Sequence, residues 1–330
     1  MKTTLVAWRR FERPVALLLL IAVVLTPWLG SKLAIYNLTI TALFAISVIG
    51  LNILLGLAGQ ASFAQTSFMA IGGYGTALLT TRMDWNPWVA IGVSLLLTVL
   101  SAYIIGRPLL RLRGHYLSMA TFALSLGVYY FVTAADGLTN GGSGIAGVPP
   151  LHAFGVSLAS PLKFYVVAWT ICGLCLLGFV LLSRSHIGRA WRAIATGQDI
   201  ALALGIDVVR YKVLAFMIAA GAAAVSGALY VEYTSFVGPD LYDINIILNL
   251  FFMLFVGGRG STIGPIAGAV ILVLLPQLLS GLEQYQSLLF FVGLMVLLRV
   301  WPNGLFGGLP LAADSTSAEA PAPAAQEAEA

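Results

Sequence analysis

Residues 33–56 read LAIYNLTITALFAISVIGLNILLG, twenty-four positions without a single charged side chain. Crossing the hydrocarbon of a bilayer takes about 20 mainly apolar residues in a helix. A helix of that length lying on a soluble domain would show a continuous polar face. Here the polar residues are scattered Asn, Thr and Ser, so the stretch reads as a membrane span. Outward from it the same pattern recurs at 14–29, 63–81, 88–106, 115–134, 162–182, 212–235, 243–257, 264–280 and 287–301. About ten transmembrane helices are predicted, which makes the chain an all-α polytopic membrane protein. Composition agrees: of 330 residues 59% are hydrophobic and 9% charged, against about 25% charged in a soluble domain.

The basic residues give the orientation. With the N-terminus inside, fourteen of the seventeen Lys and Arg fall on inner segments, leaving Lys32, Arg82 and Lys163 outside. That asymmetry follows the positive-inside rule and predicts an even number of spans with both termini cytoplasmic. The first span, with Arg13 before an apolar core, has the outline of a signal peptide. Nine further spans, and no clear small-residue cleavage site beyond Trp28, favour an uncleaved helix. The expected organisation is a membrane domain over 1–311 and a disordered tail over 312–330, whose Ala, Pro, Glu and Ser cannot bury enough apolar surface to order themselves.

Several kinds of chemistry are missing. No basic face with interleaved aromatics exists, which argues against nucleic acid. Cys172 and Cys175 lie in one apolar run and read as small packing residues, neither a disulfide framework nor a metal set. His115, His152 and His186 sit in three separate connections without acidic partners. The GxGxxG of Gly142 to Gly147 lies in a connection between spans, where a dinucleotide fingerprint needs a strand before it and a helix after it. Ile71-Gly72-Gly73-Tyr74-Gly75 faintly echoes a potassium filter, but core packing is the better reading without a pore-helix module. No phosphate-cradling GxxxxGK[ST] occurs. The chain is therefore not expected to be an enzyme or to bind a cofactor, and any ATP-driven work falls to a partner.

Polar groups inside the spans carry the functional signal, because hydrocarbon solvates them poorly. Asn52, Gln60, Ser62, Gln65, Thr66 and Ser67 cluster around the helix-breaking Gly56 and Gly59, joined by Thr121 and Ser125 in the fifth span and Asn245 and Asn249 in the eighth. Uncharged hydrogen-bonding groups suit a path for a neutral or zwitterionic solute. The alternative is adhesion between helices, which the same residues commonly supply. Gly-interrupted polar segments recur in both halves, at Gly56 to Ser62 and at Gly257 to Ser261, a pattern that points to a transport site in repeat-built transporters. Between the sixth and seventh spans, Ile187, Trp191 and Ile194 recur at i, i+4 and i+7, with Arg189 and Arg192 off that stripe. This segment reads as an amphipathic helix along the inner membrane surface.

From Asn52 to Gly307 the chain resembles the LivM-type permeases of branched-chain amino acid ABC importers. The likeness rests on Gly59-Gln60-Ala61-Ser62-Phe63 through Tyr74, Leu112 to Leu117, Leu138 to Ile145, Ile187 to Ile194 with Asp199 to Ile206, Phe236 to Pro239, Gly257 to Pro265, and Trp301 to Leu305. The resemblance implies a subunit of an ATP-driven importer in a bacterial-type inner membrane, supplying half of a path for branched-chain or similar amino acids. It implies a heterodimer with a second, homologous permease, two cytoplasmic ATPase subunits holding ATP and Mg, a solute-binding protein on the outer face, and surrounding lipid. It turns segment 184–210 into a coupling helix. Ile187, Trp191 and Ile194 would pack, Arg189, Arg192 and Asp199 would contact the ATPase, and Gly188 and Gly205 would set the ends. The Gly-rich loop from Asn140 to Gly147 becomes a candidate docking surface. Two departures bear on the solute: the family often has His where Gln65 stands, and an acid where Leu126 stands. Relatives of this kind also move urea, short amides and other amino acids. The competing reading is an ATP-independent channel or secondary transporter for a small neutral solute, which an intramembrane carboxylate or His pair would favour.

Overall fold

Ser31 opens the second predicted span by accepting the Ala34 N–H on its hydroxyl, and helix α1 follows (Lys32–Leu51). The helix runs on into a π-helical turn, Asn52–Leu57. The computed structural model describes residues 31–153, 156–278 and 304–307, with Thr26, Met295 and Arg299 as isolated positions. The tail at 312–330 lies outside the described residues, as do the first and last predicted spans apart from Thr26, Met295 and Arg299.

Seven more helices fall on predicted spans: α2 (Gln65–Arg82), α3 (Pro87–Leu109), α4 (His115–Ala134), α6 (Pro161–Arg184), α9 (Val208–Thr234), α10 (Ile244–Gly257) and α11 (Gly264–Leu278). Between them lie the short α5 (Asp136–Thr139), and α7 (His186–Thr196) followed by α8 (Gln198–Ala203). Five are long and apolar enough to cross a bilayer: α1 with its π-turn, α3, α4, α6 and α9. Helix α10 has 14 residues, about 21 Å at 1.5 Å per residue, short of a core about 30 Å thick; α11 is described as far as Leu278.

Among the described residues the helical picture has two small exceptions. Strand β1 (Ile145–Ala146) pairs antiparallel with β4 (Phe236–Val237), placing Ile145 opposite Val237. Strand β2 (His152–Ala153) pairs with β3 (Val156–Ser157).

Helices α1 and α9 form the buried centre. Helix α9 packs on α1, α2 and α3, and α1 also packs on α6 and α11. Small residues let these backbones approach. A Cβ on Gly50 would stand 2.7 Å from the Ala222 methyl, and one on Gly72 or Gly227 would strike the backbone of Ala224 or Met69. Helices α3, α4 and α6 keep most of their surface exposed and apolar, as lipid-facing or partner-facing helices would.

Contacts between connections sort onto two ends. At one, Arg82 donates to the Gly137 carbonyl at 3.0 Å, the Trp88 indole donates to the His152 carbonyl at 2.8 Å, and β1 meets β4. At the other, Arg113 meets Asp199 at 3.4 Å, and Gly59 rests against Ala195 of α7. Connections read as outer thus touch outer ones, and those read as inner touch inner ones.

Candidate functional site

Helix α2 begins deep inside the bundle. The Gln65 amide donates to the Ser47 carbonyl at 2.9 Å, the Ser47 hydroxyl at 3.2 Å and the Ala219 carbonyl at 3.2 Å. Ser47 lies ten residues before Leu57, and Ala219 eleven after Val208. The start of α2 is therefore about 15 Å into the bundle from the helix ends at Leu57 and Val208. Residues 58–64 climb to it as non-helical backbone, turning at Gly59 with φ +65°. A Cβ there would need the left-handed region and would press on Ala195 at 3.0 Å, so glycine fits on both counts.

Non-helical backbone at this depth must find partners within the protein. One face of α4 supplies them. The Ser118 hydroxyl donates to the Ala61 carbonyl at 3.1 Å, and the Thr121 hydroxyl accepts the Phe63 N–H at 3.1 Å. Ser125 donates to the Phe63 carbonyl at 2.6 Å. Its only proton being spent there, it accepts from Ser67 at 3.0 Å.

A second break is tied to the first. The Asn52 amide donates to the Ser261 carbonyl at 2.8 Å, and its oxygen accepts the Gly260 N–H at 2.8 Å. Gly56 makes room for that side chain, since a Cβ there would strike the Asn52 oxygen. The Ser261 hydroxyl caps α11 by accepting the Gly264 N–H at 2.9 Å. Residues 305 and 306 close on the same turn, donating to the Val256 and Gly257 carbonyls at 2.8 and 3.0 Å. The Arg259 guanidinium lies 5.0 Å from the centre of the Phe255 ring, and burial lowers its pKa from the usual arginine value. The two Gly-interrupted segments singled out in the sequence thus meet through Asn52.

Asn52, Gln60, Ser62, Gln65, Thr66, Ser67, Thr121 and Ser125 are each no more than 3% exposed and gather around this break. The eighth-span pair stands elsewhere. Asn245 is exposed and donates to Asp243 at 2.6 Å beside the N-cap of α10, and Asn249 is half-buried one turn on. Within the group, the Gln60 amide and the Thr66 hydroxyl have no hydrogen-bond partner among the described residues. Glu232, 3% exposed on α9, is likewise unpartnered there.

The amphipathic inner segment is two helices. Gly197 ends α7, and Gly205, at φ +76°, follows α8. Trp191 and Ile194 are buried and Ile187 is half-buried, and the Trp191 indole donates to the Tyr211 carbonyl at 2.8 Å. Gly188 lies in the first turn of α7, where a Cβ would strike the carbonyls ending α6. Arg192 donates to one of these, Ser183, at 2.8 Å, a cation on a helix C-terminus. Arg189 is exposed, and Asp199 forms a solvent-screened pair with Arg113.

Sequence reading missed Ser47 and Ser118, and it named Ser261 only as part of the Gly257 to Ser261 segment. Ser118 had a signal, lying three residues before Thr121 on the same helix face. Ser47 accepts from Gln65 through both its carbonyl and its hydroxyl, a pairing between distant residues that no local pattern announces, whereas Ser261 at the start of α11 carries the ordinary N-cap signal. At the opposite end of α9, Tyr242 is buried beside Tyr74 and Tyr230, and burial raises its phenol well above the usual range.

A multi-helix membrane protein with a polar, discontinuous segment deep in its bundle is built as a transport protein. Residues 33–299 match the family model described as branched-chain amino acid transport system, permease component. The LivM permease protein of the high-affinity branched-chain amino acid transport system of Salmonella typhimurium is 29% identical over 311 residues, covering 87% of this chain and 73% of that one. The LivM protein of Escherichia coli K12 matches with the same identity and coverage. The LivH permease protein of Escherichia coli K12 is 28% identical over 291 residues, covering 82% of this chain and 93% of that one. No solved structure matches. The chain belongs to the permease-component family of branched-chain amino acid transport systems, and its role is that of a membrane permease subunit.

Proposed function

We propose that this subunit forms half of the translocation path of an ATP-driven importer for branched-chain or similar amino acids in a bacterial-type inner membrane. The observation that carries this is the buried break at residues 58–64, whose backbone is bonded by Ser118, Thr121 and Ser125 of α4 and whose preceding π-turn is tied through Asn52 to residues 260 and 261. Asn52, Gln60, Ser62, Gln65, Thr66, Ser67, Thr121 and Ser125 line or support the path, with Asn245 and Asn249 nearer its outer end. Ten spans, cytoplasmic termini, a membrane domain over 1–311 and a tail over 312–330 complete the topology. The partners are a homologous permease, two ATPase subunits carrying ATP and Mg, and an outer solute-binding protein. The chain itself does no covalent chemistry and holds no cofactor. The ledge where Gly144 and Ile145 meet Val237 faces that binding protein.

Helix α7 is the coupling helix within segment 184–210. Its exposed Arg189 and neighbouring Arg192 meet the ATPase together with Asp199, while Ile187, Trp191 and Ile194 seat it on the bundle, Gly188 packs its first turn against the end of α6, and Gly205 closes the coupling segment after α8. The contact of Gly59 with Ala195 supports this reading, because it joins α7 to the break without an intermediary. The test is Arg189→Glu with Arg192→Glu in the complete complex. Loss of ATP-dependent uptake with weakened ATPase binding is expected. Unchanged uptake with the ATPase still bound would overturn the assignment.

A further inference from the structure

The first turn of α2 is buried and uncapped. Ala64, at its N-cap, offers no side-chain acceptor, and the N–H groups of Gln65, Thr66 and Ser67 meet no acceptor among the described residues. In a helix of 18 residues these donors carry the positive end of the macrodipole. A second observation points the same way. The Thr66 hydroxyl, 0% exposed, has no partner among the described residues, and it stands on that same turn, where the Cα–Cβ bond leans toward the helix N-terminus. Other threonines of the bundle, such as Thr76 and Thr80, turn their hydroxyls back onto carbonyls of the preceding turn. Thr66 has no such turn behind it. The Gln60 amide, 3% exposed, is also unpartnered. Buried donors left unmade are costly, and that cost is relieved by whatever anion enters. Neither α1, α2, α4 nor residues 58–64 contain an Asp or Glu to repel one.

We infer that the N-terminus of α2, with Thr66 and Gln60, binds the carboxylate of the transported solute. This rests on the importer reading above and adds the part of the solute that the chain itself recognises. Neutral donors suit a path, because they hold a carboxylate by dipoles and hydrogen bonds without the deep well of a buried cation.

Two measurements on the complete complex test this. In proteoliposomes with the binding protein outside, Thr66→Val and Gln60→Leu should lower leucine imported per ATP hydrolysed by about tenfold or more, the worth of a hydrogen bond to a charged group. Thr66→Ser should retain the wild-type ratio. Binding of labelled leucine to the permease–ATPase complex without the binding protein should be displaced by 4-methylpentanoate, which keeps the carboxylate, and not by leucinol, which keeps only the ammonium. An unchanged ratio in Thr66→Val, or displacement by leucinol in preference to 4-methylpentanoate, would overturn the inference. If Thr66→Val fails to assemble, the competition on the wild type decides. A wild-type complex that imports no amino acid with ATP would instead refute the importer reading.

Discussion

Asn52→Ala probes the join between the two halves of the chain. Asn52 is fully buried, and its amide uses a donor on the Ser261 carbonyl and its acceptor on the Gly260 N–H, both at 2.8 Å and more than 200 residues away in sequence. Removing it orphans two backbone groups, the buried Ser261 carbonyl and the part-buried Gly260 N–H, at about 1–3 kcal/mol each. The sum is about 2–6 kcal/mol, before any benefit from the small void filling. For a chain of this size that corresponds to a fall in apparent Tm on the order of 5–15 °C. The assay is the fraction of detergent-solubilised complex still eluting as a single species after stepwise heating. Asn245→Ala is the matched control, since its amide is exposed and, among the described residues, bonded to Asp243 alone, and it should shift the midpoint by less than about 2 °C. Equal shifts for the two variants would refute the idea that Asn52 latches the 257–261 turn.

Gly72→Ala should destabilise by about 1–3 kcal/mol, since the new methyl meets the backbone of Ala224, whereas Gly92→Ala, with nothing within 4 Å, should be neutral or stabilising by up to about 1 kcal/mol; the same heating assay reads both. Ser125→Ala should cost about 1–3 kcal/mol by orphaning the Phe63 carbonyl and the Ser67 hydroxyl, and Ser125→Thr should recover part of it. Asp199→Ala should leave stability within about 0.5 kcal/mol, because its pair with Arg113 is exposed on both sides, yet lower ATPase affinity if Asp199 meets that partner.

Most of the helix pattern was legible because long uncharged runs have one physical reading. Residues 33–56, 115–134 and 162–182 were predicted almost to the residue. The buried polar cluster around residues 58–64 was legible for a related reason: Gln60, Gln65, Thr66 and Ser67 are out of place in hydrocarbon and gather inside the bundle. Periodicity found Trp191 and Ile194 as the buried stripe of α7 but not its break from α8, which depends on Gly197 and on contacts with Tyr211. Asn245 shows the limit of composition. It was grouped with Asn52 by residue type, yet one is an exposed neighbour of a cap and the other a fully buried latch. Long-range backbone acceptors such as Ser47, Ala219 and Ser261 were invisible, since every residue carries a carbonyl and only the fold selects which one is used. At Asn52–Leu57 the sequence showed a break at Gly56 beside Asn52 but nothing that selects a π-turn over an α-helical end.

The decisive measurement is mass spectrometry of what copurifies with this chain after gentle extraction from native membranes, in a preparation shown to preserve a known membrane complex. Two ATPase subunits and a second permease are expected, and both should be weakened or lost when Arg189 and Arg192 are replaced by Glu only to the extent that they attach through α7. A chain that emerges alone, or only with copies of itself, would contradict the importer reading and leave a gradient-driven channel or transporter in its place.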